Sequence, residues 1–368
     1  MYPVREKVPS SYILIGIMID DLKYIHSKDT YDALGTVSKQ WQQLHQHYDF
    51  PETDREFNNI VHAGMGGSAL WAVVAKQWPG FTIPFEVTKD YDIPSYVDEK
   101  TLFIAASVSG NTEETLSSLK QAEEKDAYIV VIASGGELAE IAKAKNYPFV
   151  ELPKVRPPRY GMFNGLKALA VICETLGVLE AKNAIQELES AADFVKDAMA
   201  QWAADVPTVD NLAKQLAHES AGTSIVMYSG PTLAPAAHKW KIGFNENAKN
   251  VAWEYTFPEF NHNEFTGWTS HPVEKPYQIF YLMSSFDNNR IKKRFELSDK
   301  LLSGRWPAPY HLEVQGTTKL EQLLWAVALG DFVSVYTALL NGTSPIDMGS
   351  DDIIEKFKSE LGRPSDEQ

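Results

Sequence analysis

The sequence contains one cysteine, Cys173, in 368 residues, which excludes an intramolecular disulfide and a zinc centre built from several thiolates. Its apolar neighbours Ala170-Val171-Ile172 read as a buried helical face, so the thiol is expected to pack and not to act as a nucleophile. Positive charge is also scarce: 34 Lys and Arg face 49 Asp and Glu, for a formal charge of -15. With no basic tract, nonspecific nucleic-acid binding is disfavoured. A small phosphorylated ligand stays open, because backbone N–H groups and one or two cations suffice to hold it. No apolar run is continuous enough to read as a membrane span. The apolar residues 12–19 are few and lack a following cleavage site, so a cytoplasmic location is expected.

What is present is ample core material, 44% hydrophobic residues, arranged in short apolar runs that alternate with amphipathic ones. Residues 59–63 predict a strand that enters Gly64-Met65-Gly66-Gly67-Ser68, followed by a helix over 69–77. Strands are expected at 82–87, 101–106 and 128–133, with a helical pattern through Leu116, Leu119 and Ala122. A helix over 164–180 closes the first lobe. The rhythm resumes at 224–230, with a helix over 234–244, strands near 251–255, 278–283 and 311–314, and helices over 318–340 and 351–361. The expectation is an α/β fold of two lobes, each with a central, mainly parallel sheet flanked by helices. The divisions are an extension over 1–17, a first domain over 18–180, a helical linker over 181–206, a second domain over 207–350, and a C-terminal helix and tail over 351–368.

Two loops carry chemistry. Gly64-x-Gly66-x-x-Ala69 follows a strand with the spacing of a dinucleotide fingerprint, and Glu86 lies where a ribose-binding carboxylate could stand. A plain strand-to-helix turn explains the same residues. Ser107-Val108-Ser109-Gly110-Asn111-Thr112 sets three hydroxyls around a glycine at a second strand-to-helix transition. Those hydroxyls and the amides of the helix start can donate to phosphate oxygens, or can simply cap the helix and form an Asx/ST turn. Together with Ser68, they favour a phosphorylated small molecule over a dinucleotide.

Further motifs keep an order with these loops: Ser134-Gly135-Gly136-x-Leu138, Pro158-Arg159, Asn245-Glu246-Asn247-Ala248-Lys249, Asn261-His262-Asn263-Glu264-Phe265-x-Gly267-Trp268 and Gly330-Asp331-Phe332-Val333-Ser334-Val335-Tyr336. In this order, over nearly all of 18–348, the chain resembles the sugar-isomerase (SIS) domain superfamily, and more narrowly the bifunctional phosphoglucose/phosphomannose isomerase family. The resemblance implies aldose–ketose isomerisation of a hexose phosphate, with no cofactor and no metal, by a homodimer whose lobes enclose the site.

It also implies roles. Gly66, Gly67, Ser68, Ser107, Ser109 and Thr112 would bind the sugar phosphate. Arg159 would stabilise enediolate charge with its planar fork. Glu246 would move the proton between C1 and C2, and His262, which in the family can come from the neighbouring subunit, would open the sugar ring. On residue type alone, each of these three reads as a surface group. Glu264 could orient neighbouring groups, with a solvent-facing position as the default; Lys319 is expected to cap or solvate a helix, and Thr317 and Thr318 could approach the sugar or equally make local backbone bonds. His218, His238 and His271 show no metal-binding spacing. Two segments depart from the family pattern: Tyr160-Gly161-Met162-Phe163 is expected to alter the pocket width near Arg159, and Ser344-Pro345-Ile346-Asp347 to affect packing. A noncatalytic sugar-phosphate sensor and a dinucleotide oxidoreductase are the rival readings.

Overall fold

The computed structural model describes residues 18–270, 274–346 and 353–362. The extension at 1–17, the last six residues, His271 and Asp347 lie outside that set. In the first half, strands β1 (Asn59–Ala63), β2 (Phe85–Thr88), β3 (Thr101–Ser107), β4 (Tyr128–Ala133) and β5 (Phe149–Glu151) form a parallel sheet of order β2-β1-β3-β4-β5. In the second half, β6 (Ser224–Ser229), β7 (Ala252–Thr256), β8 (Tyr277–Met283) and β9 (Tyr310–Glu313) form a parallel sheet of order β7-β6-β8-β9. The α/β, two-lobe expectation holds.

Parallel strands covered on both faces read as apolar runs, and β3 is buried along its whole length. Alternate side chains then part to opposite faces. Ile60, Leu102, Ile104, Val130 and Ile132 enter a core that also takes Ile225, Met227, Phe280 and Leu282 from the second sheet. Val61, Phe103, Ala105, Ile129 and Val131 meet Leu119, Ala122, Leu138 and Ala142 on the outer face. The outer face of the second sheet is aromatic, with Tyr228, Tyr281, Phe257, Phe260, Phe295 and Trp306 packed together.

The lobes repeat one packing device. Trp71, on the helix Gly66–Ala75, fills the place of a side chain at Gly165 on the helix Met162–Thr175, where a Cβ would come within 2.2 Å of the indole. Trp240, on Ala234–Glu246, does the same at Gly330 on Lys319–Leu340, at 2.3 Å. Helices Gly66–Ala75 and Ala234–Glu246 also touch, joining the lobes.

Several boundaries differ from expectation. The first loop enters its helix at Gly66 rather than at 69, and β2 begins at Phe85, after Pro84, which has no N–H for the ladder. Strand β5 and the helices Gly136–Lys145, Leu212–Ser220 and Asn289–Leu302 were not legible as elements. One correction concerns hydrophobicity: Lys319–Leu340 contains an 18-residue window of mean hydropathy 1.8, long and apolar enough to cross a membrane. In the fold its surface is covered by the helices Ala234–Glu246, Leu212–Ser220 and Ala184–Gln201.

Candidate active site

The two glycine-bearing loops lie side by side at the ends of β1 and β3. The Val108 N–H donates to Ser68 Oγ at 3.1 Å and so ties one loop to the other. Ser68 is in turn fixed from below: its carbonyl bonds the ring Nε2 of fully buried His62 at 2.9 Å. Burial pushes the His62 pKa down to about 4, against a smaller opposing effect of that bond, so the imidazole is neutral and donates through Nε2. Gly66 takes φ +48, a left-handed conformation that glycine adopts without strain, and faces open space.

In the second loop the Ser107 hydroxyl stands 2.6 Å from that of Thr112 and 3.3 Å from that of Ser109. Ser107 Oγ accepts from the Gly110 N–H, and Ser109 Oγ from the Asn111 N–H at 3.3 Å. Thr112 is the N-cap of the helix Glu113–Glu124, yet its side chain makes no capping bond. The three hydroxyls therefore converge on one another at a helix start, where partial positive charge favours an anion. Helix capping does not account for the Thr112 hydroxyl, while Ser107 and Ser109 also make local turn bonds to backbone N–H groups.

Arg159 closes this group on one side. A Cβ on Gly67 would lie 3.8 Å from the Arg159 Cα, so the first loop runs against the arginine backbone. The guanidinium is held at all three nitrogens: Nε donates to Asn247 Oδ1 at 2.6 Å, Nη1 to Glu246 Oε2 at 2.9 Å and Nη2 to the Pro345 carbonyl at 2.8 Å. Five N–H groups with three engaged leave one on each terminal nitrogen. Glu246 ends the helix Ala234–Glu246 and Asn247 caps it, so the cation also meets the negative end of a helix dipole. The Arg159 side chain is 12% exposed and that of Glu246 41%. The carboxylate is thus anchored through one oxygen and still reaches solvent.

Behind this pair is a polar network that sequence reasoning missed. Asn247 is fully buried. Its Oδ1 also accepts from the Tyr160 hydroxyl at 3.0 Å, and its Nδ2 donates to Ser334 Oγ at 2.9 Å. Burial raises the Tyr160 pKa well above the phenol range, which keeps the hydroxyl a donor. Asp331, 1% exposed, pairs with Lys239, equally buried, and accepts from Gln40 Nε2 at 3.0 Å. The motif segments Asn245–Lys249 and Gly330–Tyr336 supplied the signal, but not the partners.

The two departing segments take different places. Tyr160, Gly161, Met162 and Phe163 are all buried, and the Tyr160 hydroxyl joins the Asn247 network behind Arg159. Pro345, by contrast, touches the arginine directly, so the Ser344-Pro345-Ile346 departure reaches the site.

His262 ends the turn Glu259–His262 and is exposed; no hydrogen bond or ion pair joins it to Arg159 or Glu246 among the described residues. Its neighbour Glu264 does not face solvent as expected. The Tyr228 hydroxyl donates to Glu264, the Trp268 Nε1–H donates to Tyr228 at 2.9 Å, and burial, reinforced by Glu254, raises the Glu264 pKa against the Tyr228 bond. This chain pins the His262-bearing segment to β6. Thr317 and Thr318 are spent on Glu321 in a capping box at the start of Lys319–Leu340. His238 bonds Glu254 at 2.8 Å, and among the described residues no group of three or more His, Cys, Asp or Glu could hold a metal ion.

Comparison with known proteins gives a consistent result. A family model described as the bacterial phospho-glucose isomerase C-terminal SIS domain matches residues 209–361. The bifunctional phosphoglucose/phosphomannose isomerase of Aquifex aeolicus is 33% identical over 308 residues, covering 83% of this chain and 91% of that protein. Its counterpart from Caldicellulosiruptor bescii is 30% identical over 311 residues, with the same two coverages. Among solved structures, a glucose-6-phosphate isomerase like protein from Thermus thermophilus superposes with TM-score 0.61 at 14% identity, over 93% of this chain and 98% of that one. At that identity the likeness is one of fold.

Proposed function

The chain belongs to the bifunctional phosphoglucose/phosphomannose isomerase family, whose general role is phosphosugar isomerisation, and from that premise we propose that it interconverts glucose 6-phosphate and fructose 6-phosphate, with mannose 6-phosphate as a further aldose. The observation that carries this reading is the Glu246–Arg159 pair standing across the lobe boundary beside the Gly67 loop. A base next to a fixed cation, beside a cluster of anion-binding hydroxyls, suits proton abstraction from a carbon bearing a carbonyl neighbour.

In this mechanism the phosphate is received by the Ser107, Ser109 and Thr112 hydroxyls and by amides of the Gly66–Ser68 loop, which exchange bonds among themselves for bonds to its oxygens. That fixes the far end of the sugar and places C1 and C2 toward Glu246. Glu246 takes the proton from C2 of the aldose and returns it to C1. The two uncommitted N–H groups of Arg159 face the oxygens on which enediolate charge develops. His262 exchanges the proton between ring oxygen and C1 hydroxyl. Its exposed position on a pinned segment supports its supply across a homodimer.

The test is a coupled assay of purified protein on the three hexose phosphates, with Glu246→Gln as control. Glucose–fructose exchange that falls at least ~1000-fold in the variant is expected for loss of a proton-transfer group. Turnover by the variant near the wild-type rate would remove Glu246 from this role, and binding without exchange in the wild type would favour a sensor. Sedimentation tests the dimer separately.

A further inference from the structure

The second lobe repeats the first strand for strand, yet its counterpart of the phosphate loops is differently occupied. In the sheets, β1 pairs with β2 and β3 as β6 pairs with β7 and β8. Ala63 stands opposite Ala105, and Ser229 opposite Leu282. Counting forward from these pairs, Gly230 corresponds to Gly64 and Ser284 to Ser107. Each serine accepts from its own loop, though at different offsets: Ser107 Oγ from the Gly110 N–H at 3.1 Å, and Ser284 Oγ from the Phe286 N–H at 3.0 Å, while the Ser284 hydroxyl donates to Gln322 Oε1 at 2.6 Å.

The two cradles diverge in what joins their loops. In the first lobe the tie is neutral, the Val108 N–H to the Ser68 hydroxyl, and a Cβ on Gly64 would meet the Ala106 carbonyl at 2.9 Å and no carboxylate. In the second, the carboxylate of Asp287 crosses from the β8 loop to the β6 loop. Its Oδ1 accepts from the Thr232 N–H at 3.2 Å, at the turn leading into the 13-residue helix Ala234–Glu246. A Cβ on Gly230 would come within 2.1 Å of Oδ2, so only glycine lets the carboxylate seat there. Asp287 is 6% exposed, and its Oδ2 has no hydrogen-bond partner among the described residues. A buried carboxylate satisfied on one oxygen is costly for folding alone. It stands at the turn before a helix start, where the Thr232 N–H donates to it and partial positive charge favours an anion.

We infer that the second lobe holds an anion cradle closed by the chain's own Asp287 carboxylate, so that each chain takes one phosphoryl group, and that removing this carboxylate opens a second site for phosphate. The inference rests on reading the Ser107–Thr112 loop as the first-lobe phosphate cradle. One lobe thereby presents the phosphate and the other is left to contribute Glu246, which gives a symmetric scaffold a single substrate orientation.

Equilibrium dialysis of the full chain with inorganic phosphate tests this. The wild type is expected to saturate at one phosphate per chain and Asp287→Ala at two; saturation of the folded variant at one overturns the inference. A second arm does not depend on that variant folding. With Asp287 intact, the double change Ser109→Ala and Thr112→Val should abolish phosphate binding, and a phosphate that persists in the second lobe, read by crystallography of the soaked protein, shows that cradle open and the inference wrong. Failure of the functional reading looks different: a wild type that binds no phosphate sinks the first-lobe site, while a gain of one phosphate on Asp287→Ala still supports the closed cradle.

Discussion

Arg159 and Glu246 meet at 2.9 Å although 87 residues separate them in the chain, and the arginine reaches that carboxylate while its other two nitrogens are already bonded. Lysine offers one ammonium in place of a fork and cannot hold three partners in one plane. Arg159→Lys should therefore lower kcat/KM by ~100-fold, the order expected when a reacting group is displaced by about 1 Å. Retention of activity within a factor of a few would show that the fork is not needed.

Asn247 is expected to behave as a positioning residue. Its amide satisfies Arg159, Tyr160 and Ser334 together, so Asn247→Leu should depress kcat by ~10- to 100-fold and change KM for the sugar phosphate little, since the Gly66–Ser68 and Ser107–Thr112 loops are untouched. A rise in KM at constant kcat would place Asn247 in substrate binding instead.

Lys239 and Asp331 form a buried pair, each 1% exposed. Removing one charge strands the other, which costs about 3–5 kcal/mol, whereas replacing both with apolar groups is often close to neutral. Denaturant titration should find Asp331→Leu strongly destabilised and Lys239→Met with Asp331→Leu substantially recovered. A double variant as unstable as the single one would mean that the pair is held by more than its mutual charge.

His62 links stability to pH. Its folded pKa, about 4, is below the ordinary value near 6.5, so between these limits the unfolded chain binds the extra proton. The stabilisation is full above the unfolded pKa and is lost as pH falls toward 4, at up to about 1.4 kcal/mol per pH unit. Wild-type stability should thus decline more steeply from pH 7 to pH 5 than that of His62→Gln. Parallel slopes would assign the acid sensitivity to other groups.

Gly165→Ala and Gly330→Ala test the repeated packing device. Alanine in an exposed helix interior is better than glycine by about 1 kcal/mol, but here the new methyl would enter an indole ring at 2.2 or 2.3 Å. Overpacking typically costs ~1–3 kcal/mol, so both variants should have a lower Tm. A raised Tm would show that the tryptophans move aside easily.

Much of this arrangement was legible where the signal is local. Residues 59–63 and 128–133 are strands at the expected limits because continuous apolar runs bounded by turn residues specify buried parallel strands. The Ser107–Thr112 hydroxyls were visible as a group because they lie close together in one loop. The support for Arg159 was not, since Gln40, Tyr160, Asn247, Asp331 and Ser334 come together only through packing of distant segments. The Glu264 contact is hidden from the sequence for the same reason: its partner Tyr228 is on a separate strand. The helix Gly136–Lys145 leaves a weak pattern because its buried side chains are only Leu138, Ala139 and Ala142.

The bond from Arg159 Nη2 to the Pro345 carbonyl spans 186 residues. During synthesis the first lobe can form its loops early, but the arginine lacks its last partner until residue 345 has left the ribosome. A chain that stops short of that proline therefore carries the Gly66–Ser68 and Ser107–Thr112 loops without a fully fixed arginine.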